Sequence, residues 1–202
     1  MTVAEQRRRT RKESKAETVY AIGHSTRSIE AFLDILRAHS VDLLVDIRTI
    51  PKSRHNPQFN SDSLKISLKE AGMEYVHLKD LGGLRQPLRD SPNTGWRNES
   101  FRGFADYMLT EGFAKGLDEL VRLGGERNVA IMCAEGNPYR CHRSLVADAL
   151  TARGIRTIHI SSKKSGRLHA LTPFAKVDGS RIAYPLGKEE GRRRETHSRQ
   201  GS

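Results

Sequence analysis

Cysteine, aromatic residues and long apolar runs are all scarce in this sequence, and each shortage removes a class of protein. Only two cysteines occur, Cys133 and Cys141, so a disulfide framework is excluded. No stretch approaches the roughly 18 consecutive apolar residues that span a bilayer. The basic N-terminus also lacks the apolar segment that follows the charges of a secretory signal. The expectation is a soluble cytoplasmic protein with no membrane contact, whose thiols stay reduced and available for chemistry. Aromatic residues make up 6% of the chain and are not interleaved with basic ones. Helix-turn-helix, zinc-finger and RRM patterns are missing, so no known nucleic-acid module is indicated.

Acidic residues are in deficit too: 24 Asp and Glu face 35 Lys and Arg, for a formal charge of +11. Residues 1–17 hold Arg7, Arg8, Arg9, Arg11, Lys12 and Lys15 against Glu5, Glu13 and Glu17. Residues 186–202 hold Lys188, Arg192, Arg193, Arg194 and Arg199 against Glu189, Glu190 and Glu195. The ends therefore contribute +3 and +2, and +6 remains for residues 18–185. Low apolar content and mixed charge predict a disordered basic tail over 1–17 and a disordered charged tail over 186–202. A chain of 202 residues leaves room for one domain between them, residues 18–185.

Short β-rich runs alternate with segments of helical spacing, the pattern of a parallel sheet covered by helices. Strands are predicted at 18–22, 43–47, 75–78, 129–133 and 157–160. Ser28 is a fitting N-cap, and Ile29, Phe32, Leu33 and Leu36 follow at i, i+3, i+4 and i+7. A short helix is predicted from Ser61 or Asp62 through Leu68, with Gly72 marking its end. Helices are also predicted at about 101–109 and 113–123, stopped by Gly124-Gly125, and from the apolar set Leu145, Val146, Ala149 and Leu150 before Gly154. Residues 79–100 read as a long loop, long enough to suggest a lid or binding role. Val177 to Ile182 reads as a hairpin about Asp178-Gly179. The expected fold is a single three-layer α/β domain, Rossmann-like, with a mainly parallel central sheet flanked by helices and a small C-terminal hairpin.

Ligands of open α/β sheets bind beyond the carboxyl ends of the strands, so the segments that follow them are the place to look. Gly23, His24, Ser25 and Thr26 follow the first strand, and suit either an ordinary helix N-cap or an anion contact. Asp46 and Arg48, two apart at the end of the second, suit a structural ion pair or a ligand contact equally. Lys52, Arg54 and His55 form a cationic cluster that meets an anion or faces water.

The fourth strand carries the strongest signal. Cys133 ends it, a polar loop containing Glu135 follows, and Arg140, Cys141, His142 and Arg143 lead into a helix, where the positive N-terminal field lowers a thiol pKa. Phosphatase and sulfurtransferase loops place an arginine six positions after the cysteine. Tyr139 stands there in this chain and Arg140 comes one later, so that mechanism is not adopted. Seven residues separate the cysteines, unlike a thioredoxin or zinc-knuckle pair. With His142 and His24 they could still form a metal site across loops, or a redox pair, or simply be small core and loop residues. Spacing alone assigns no metal ligand.

Taken together and in order, Gly23-His24-Ser25, Asp46-Ile47-Arg48, Leu81-Gly82-Gly83, Cys133-Ala134-Glu135 and Cys141-His142-Arg143, with Tyr184-Pro185 closing the domain, resemble the domain of unknown function 488 family. The resemblance covers about residues 18–185. It implies a bacterial or archaeal cytosolic α/β protein with its marked residues on these loops, and implies no reaction or cofactor.

Three functions are therefore expected in turn. The first is an enzyme acting on a small anionic or nucleotide-like substrate, with Cys133, Glu135 and His24 as candidate catalytic residues and Ser25, Asp46, Arg48, Cys141, His142 and Arg143 as substrate contacts. The second is a non-catalytic module in weak contact with nucleic acid through its basic surface. The third is a protein with a Cys/His metal site.

Overall fold

The computed structural model describes residues 18–186, and both predicted tails, 1–17 and all of 186–202 but Leu186, lie outside the described residues. Five strands run parallel: β1 (Thr18–Gly23), β2 (Leu43–Asp46), β3 (Glu74–His77), β4 (Val129–Cys133) and β5 (Arg156–Ile160). The spatial order is β3-β2-β4-β1-β5, and β6 (Gly166–Leu168) extends the sheet antiparallel to β5. A separate hairpin pairs β7 (Lys176–Asp178) with β8 (Arg181–Ala183). The helices are α1 (Ile29–Ala38), α2 (Ser61–Glu70), α3 (Glu99–Tyr107), α4 (Glu111–Glu126) and α5 (Arg143–Ala152).

Strand alternation sorts the side chains into two cores. On β4, Val129, Ile131 and Cys133 face one way, with Val19, Ala21, Leu43 and Val45, and meet Phe104, Leu117, Leu120, Leu145 and Leu150 of α3, α4 and α5. Ala130 and Met132 face the other way, with Ile22 and Leu44, and meet Phe32 and Leu36 of α1 and Leu64 and Leu68 of α2. Every residue of β2 and β4 is buried, because helices cover both faces. Each such Val, Leu or Ile contributes about 1.5–3 kcal/mol of burial. This is the expected three-layer α/β architecture.

Local chemistry explains the helix starts. The hydroxyl of Ser28 accepts the N–H of Ala31 at 3.2 Å, Asn98 caps α3 through Phe101, and Thr110 caps α4 through Phe113. The glycine pair expected to stop α4 does not. The helix runs on to Glu126, with Gly124 buried in ordinary contact with Val19 and Gly125 in open space. Nor was β6 expected, since its three residues, Gly166, Arg167 and Leu168, are all exposed and carry no apolar alternation.

The long loop after β3 is anchored along its length. A 3₁₀ turn occupies Lys79–Leu81. The buried carboxylate of Asp106 accepts the N–H of Leu88, the Ser91 hydroxyl and the Asn93 amide at 2.6–2.8 Å, and Asn93 in turn accepts the N–H of Tyr184. Thr49 donates to the Gly83 carbonyl at 2.6 Å, tying the loop to the end of β2. The loop is one wall of a pocket at the carboxyl edge of the sheet.

Candidate functional site

Because β1 to β5 are parallel, their carboxyl ends share one edge. Gly23 stands opposite Cys133, and Asp46 lies between Met132 and His77. A pocket of about 340 Å³ opens there, floored by Cys133, Cys141 and His142. Glu135, Arg140, Ser100 and Phe101 line its sides, and Ile50 and Leu84, 61% and 77% exposed, stand at its rim. The lining is largely apolar, with the ionisable groups concentrated in a few side chains, as in small-molecule sites generally.

The pleat divides the expected site residues into two groups. Cys133 points to the α3, α4, α5 side, where Cys141 and His142 reach it from the start of α5. The Nδ1 of His142 lies 3.8 Å from the Cys133 sulfur and 3.9 Å from that of Cys141. Its Nε2 lies 3.1 Å from the Ile47 carbonyl, an acceptor only, so the ring proton belongs on Nε2 and Nδ1 presents its lone pair to the sulfurs. Gly83 packs over the ring; a Cβ there would sit 3.0 Å from Nδ1.

The two thiols are shifted in opposite directions by each other. The hydrogen bond from Cys141 and, more weakly, the charge of Arg143 hold the Cys133 thiol well below its ordinary value despite burial. Cys141 is pushed well above its own, first by its bond to Cys133 and then by burial. Of the two, Cys133 is the sulfur that gives up its proton more readily.

His24, Asp46 and Arg48 collect on the α1, α2 side instead. The Arg48 guanidinium closes on the Asp46 carboxylate with contacts of 2.6 to 3.1 Å and donates to the Phe59 carbonyl. Tyr75 donates to the same carboxylate at 2.9 Å. His24 stacks on Phe59 at 4.3 Å, donates from Nδ1 to the Ser25 carbonyl, and faces Arg48 with Nε2 at 3.4 Å. Burial holds this imidazole below its ordinary value, so it is neutral at pH 7. His24 is 2% exposed and does not line the pocket; Arg48 reaches the lining with its Nε and Nη2 donors engaged and Nη1 turned toward His24.

Arg143 is engaged as well. It is 1% exposed, and its guanidinium donates to the carbonyls of Ile22, Glu135 and Gly136 at 2.8 to 3.3 Å. It therefore splints the Cys133 loop through main-chain oxygens, and the Glu135 carboxylate accepts the N–H of Asn137 instead. Ser25 sits beside Gly136, outside the lining. Four of the loop's N–H groups are spent internally: Asn137 on Glu135, Tyr139 and Arg140 on Asn137, and Cys141 on Pro138. Those donors are not free to cradle a phosphate, which agrees with the shifted arginine. Arg140 is left exposed at the pocket wall.

Phe101, Leu84 and Ile50 complete the pocket without any motif to announce them. They come from α3 and from two loops, and only the tertiary fold gathers them. The buried Asp148 was also missed. It accepts from His169, Tyr184 and Thr172 at 2.7–2.9 Å, and its one signal in the sequence is a carboxylate set among the apolar positions of α5.

Among the described residues, no helix is long and apolar enough to cross a membrane. No match was found among curated proteins or among solved structures. Residues 28–150 match the family described as "Domain of unknown function DUF488", a stretch holding Asp46, Arg48 and the whole run from Cys133 to Arg143, with His24 and Tyr184 on either side of it. The chain belongs to this family.

Proposed function

We propose that the chain is an enzyme acting on a small anionic, nucleotide-like substrate in the pocket above Cys133. The observation that carries this reading is charge placement. The five loops that leave the carboxyl ends of β1 to β5 hold Arg27, Arg48, Lys52, Arg54, Lys79, Arg85, Arg89, Arg97, Arg140, Lys163 and Lys164 against Asp80, Asp90 and Glu135, a net of +8. Residues 18–186 as a whole carry +6, so the remainder is net −2. Arg48 is spent on Asp46 and Lys163 on Asp34, and the charge that remains makes the edge of the sheet where the pocket opens a positive rim that attracts anions. Arg140 is the cation at the wall for the charged group, Phe101, Ile50 and Leu84 cover an apolar or planar body, and the sulfur of Cys133 lies at the reacting end. Glu135, exposed beside it, serves proton transfer.

The test uses AMP, UMP and inorganic phosphate as probes, titrated at low salt into protein freed of metal by a chelator, with iodoacetamide reporting on Cys133. A nucleotide that binds, slows alkylation of Cys133, weakens with salt and is lost in Arg140→Glu is the expected result. Failure of every probe to bind, or binding that leaves Cys133 unprotected, overturns it.

The same rim favours a second reading, contact with the backbone of a nucleic acid. Its mark is binding of single-stranded DNA or RNA whose affinity falls steeply with salt and is indifferent to alkylation of Cys133.

A further inference from the structure

We infer that Cys133, Cys141 and His142 form a binding site for one zinc ion with an open coordination position facing the pocket. This inference rests on the reading of that cluster as the reaction centre and specifies what its sulfurs do. The three donor atoms, two Sγ and one Nδ1, all lie within 4.8 Å of one another. Zinc bonds of about 2.3 Å to sulfur and about 2.0–2.1 Å to nitrogen, set at tetrahedral angles, place S···N edges at about 3.6 Å. The observed separations from Nδ1, 3.8 and 3.9 Å, are within a few tenths of an ångström of such a tetrahedron.

The surroundings match a ligand set as well as the distances do. Nε2 of His142 is fixed on the Ile47 carbonyl, the outer contact that orients a metal-bound imidazole and leaves the opposite nitrogen unprotonated. The N–H of Arg143 points at the Cys141 sulfur at 3.5 Å, at the start of α5, a contact that stabilises a coordinated thiolate. Gly83, lacking a side chain, packs close on the His142 ring, where a Cβ would come 3.0 Å from Nδ1. Two soft thiolates and one imidazole select zinc over magnesium or calcium.

All three ligands line the pocket, so the fourth position opens into it, with Glu135 on the same wall. Three protein ligands and one open position are the arrangement of a catalytic zinc; a structural site would be closed by a fourth side chain. A zinc ion held there would supply a position for one water, with the Glu135 carboxylate on the same wall as the group that could take its proton, and Cys133 would be a ligand instead of the attacking atom.

The experiment titrates Co²⁺ into the full chain after chelator treatment. The expected result is one equivalent bound, with a sulfur-to-cobalt charge-transfer band and the intense visible bands of tetrahedral cobalt, displaced by Zn²⁺. Cys141→Ser and His142→Ala should each weaken binding by about 100-fold or more, the upper end of the loss that outer contacts alone produce. Circular dichroism establishes that each variant is folded. X-ray absorption on the zinc-loaded wild type should show two sulfur neighbours and one imidazole, a readout that needs no variant. Cobalt that fails to bind, or binds without the sulfur band, overturns the proposal. The nucleotide titration is repeated on loaded and metal-free protein. Nucleotide protection of Cys133 without cobalt binding removes the zinc and keeps the enzyme reading, and cobalt binding without nucleotide binding does the reverse.

Discussion

The Arg48 guanidinium lies 2.6 Å from the Asp46 carboxylate, with the two residues only 5% and 0% exposed. A pair this buried is held by its neighbours: Tyr75 and the backbone N–H of Arg48 also donate to Asp46, and Phe59 accepts from Arg48. It fixes the turn after β2, and with it Ile47, whose carbonyl holds His142. The ion pair thus acts on the pocket through the main chain of the turn after β2.

Removing one partner leaves a buried charge with no counter-ion, a loss of about 3–5 kcal/mol. Asp46→Ala should therefore lower the stability measured by urea unfolding by about that amount, whereas the double change Asp46→Leu with Arg48→Met should be far milder. A single variant within about 1 kcal/mol of wild type would refute this account of the turn.

Gly23 makes the second prediction. It faces Cys133 across the sheet, and a Cβ there would come 1.9 Å from the Glu135 carbonyl oxygen and 2.8 Å from the Arg143 guanidinium. Both contacts belong to the splint beneath the Cys133 loop, so Gly23→Ala must move that loop. A loss of about 3 kcal/mol, the upper end of ordinary overpacking, is expected. The alkylation rate of Cys133 should change with it. An alanine variant with unaltered stability and thiol reactivity would show that the loop gives way freely.

Much of this arrangement was legible in the residues. β4 was bounded correctly because Val129 to Cys133 is an unbroken apolar run, and Ser28 announced α1 because a capping hydroxyl has a local cause. Convergence of the strand ends on one edge followed from parallel topology. The face on which each side chain lies did not. A one-residue difference in the end of β2 decides whether Ile47 or Asp46 closes the strand, and the pleat then sends His24, Asp46 and Arg48 away from Cys133. Whether a basic residue is free could not be read either, since the carbonyls that consume Arg143 come from Ile22, Glu135 and Gly136. Phe101 and Leu84 were invisible for the same reason: a pocket wall drawn from three separate segments has no spacing.

Asp148 supports a third prediction. One carboxylate at the middle of α5 receives His169, the hydroxyl and N–H of Thr172, and the Tyr184 hydroxyl, so it fastens the segment after β6 and the chain beyond β8 to the core. Asp148→Ala strands four donors, each costing about 1–3 kcal/mol when buried without a partner. Hydrogen exchange should show the Thr172 amide losing protection while the β4 amides keep more of theirs. Uniform loss across the sheet would mean that the segment has no separate opening of its own.

The last prediction concerns acid. His159 is buried and lies 3.0 Å from His169, whose other nitrogen meets Asp148; the Nδ1 of His159 has no hydrogen-bond partner. Burial first, then the neighbouring His169 and Arg143, lower its pKa to about 3. In the unfolded chain the same imidazole takes a proton near pH 6.5. Between those values the unfolded state binds one more proton than the folded state. The stability tied to a neutral His159 is therefore complete above about pH 6.5 and is lost as the pH falls toward 3, with a slope of up to about 1.4 kcal/mol per pH unit. His159→Gln keeps a hydrogen-bonding group opposite His169 and cannot titrate. Urea unfolding between pH 4 and pH 7 should give this variant a shallower loss of stability than wild type, by close to one proton. Parallel curves for the two proteins would show that His159 takes its proton in the folded state as readily as in the unfolded one.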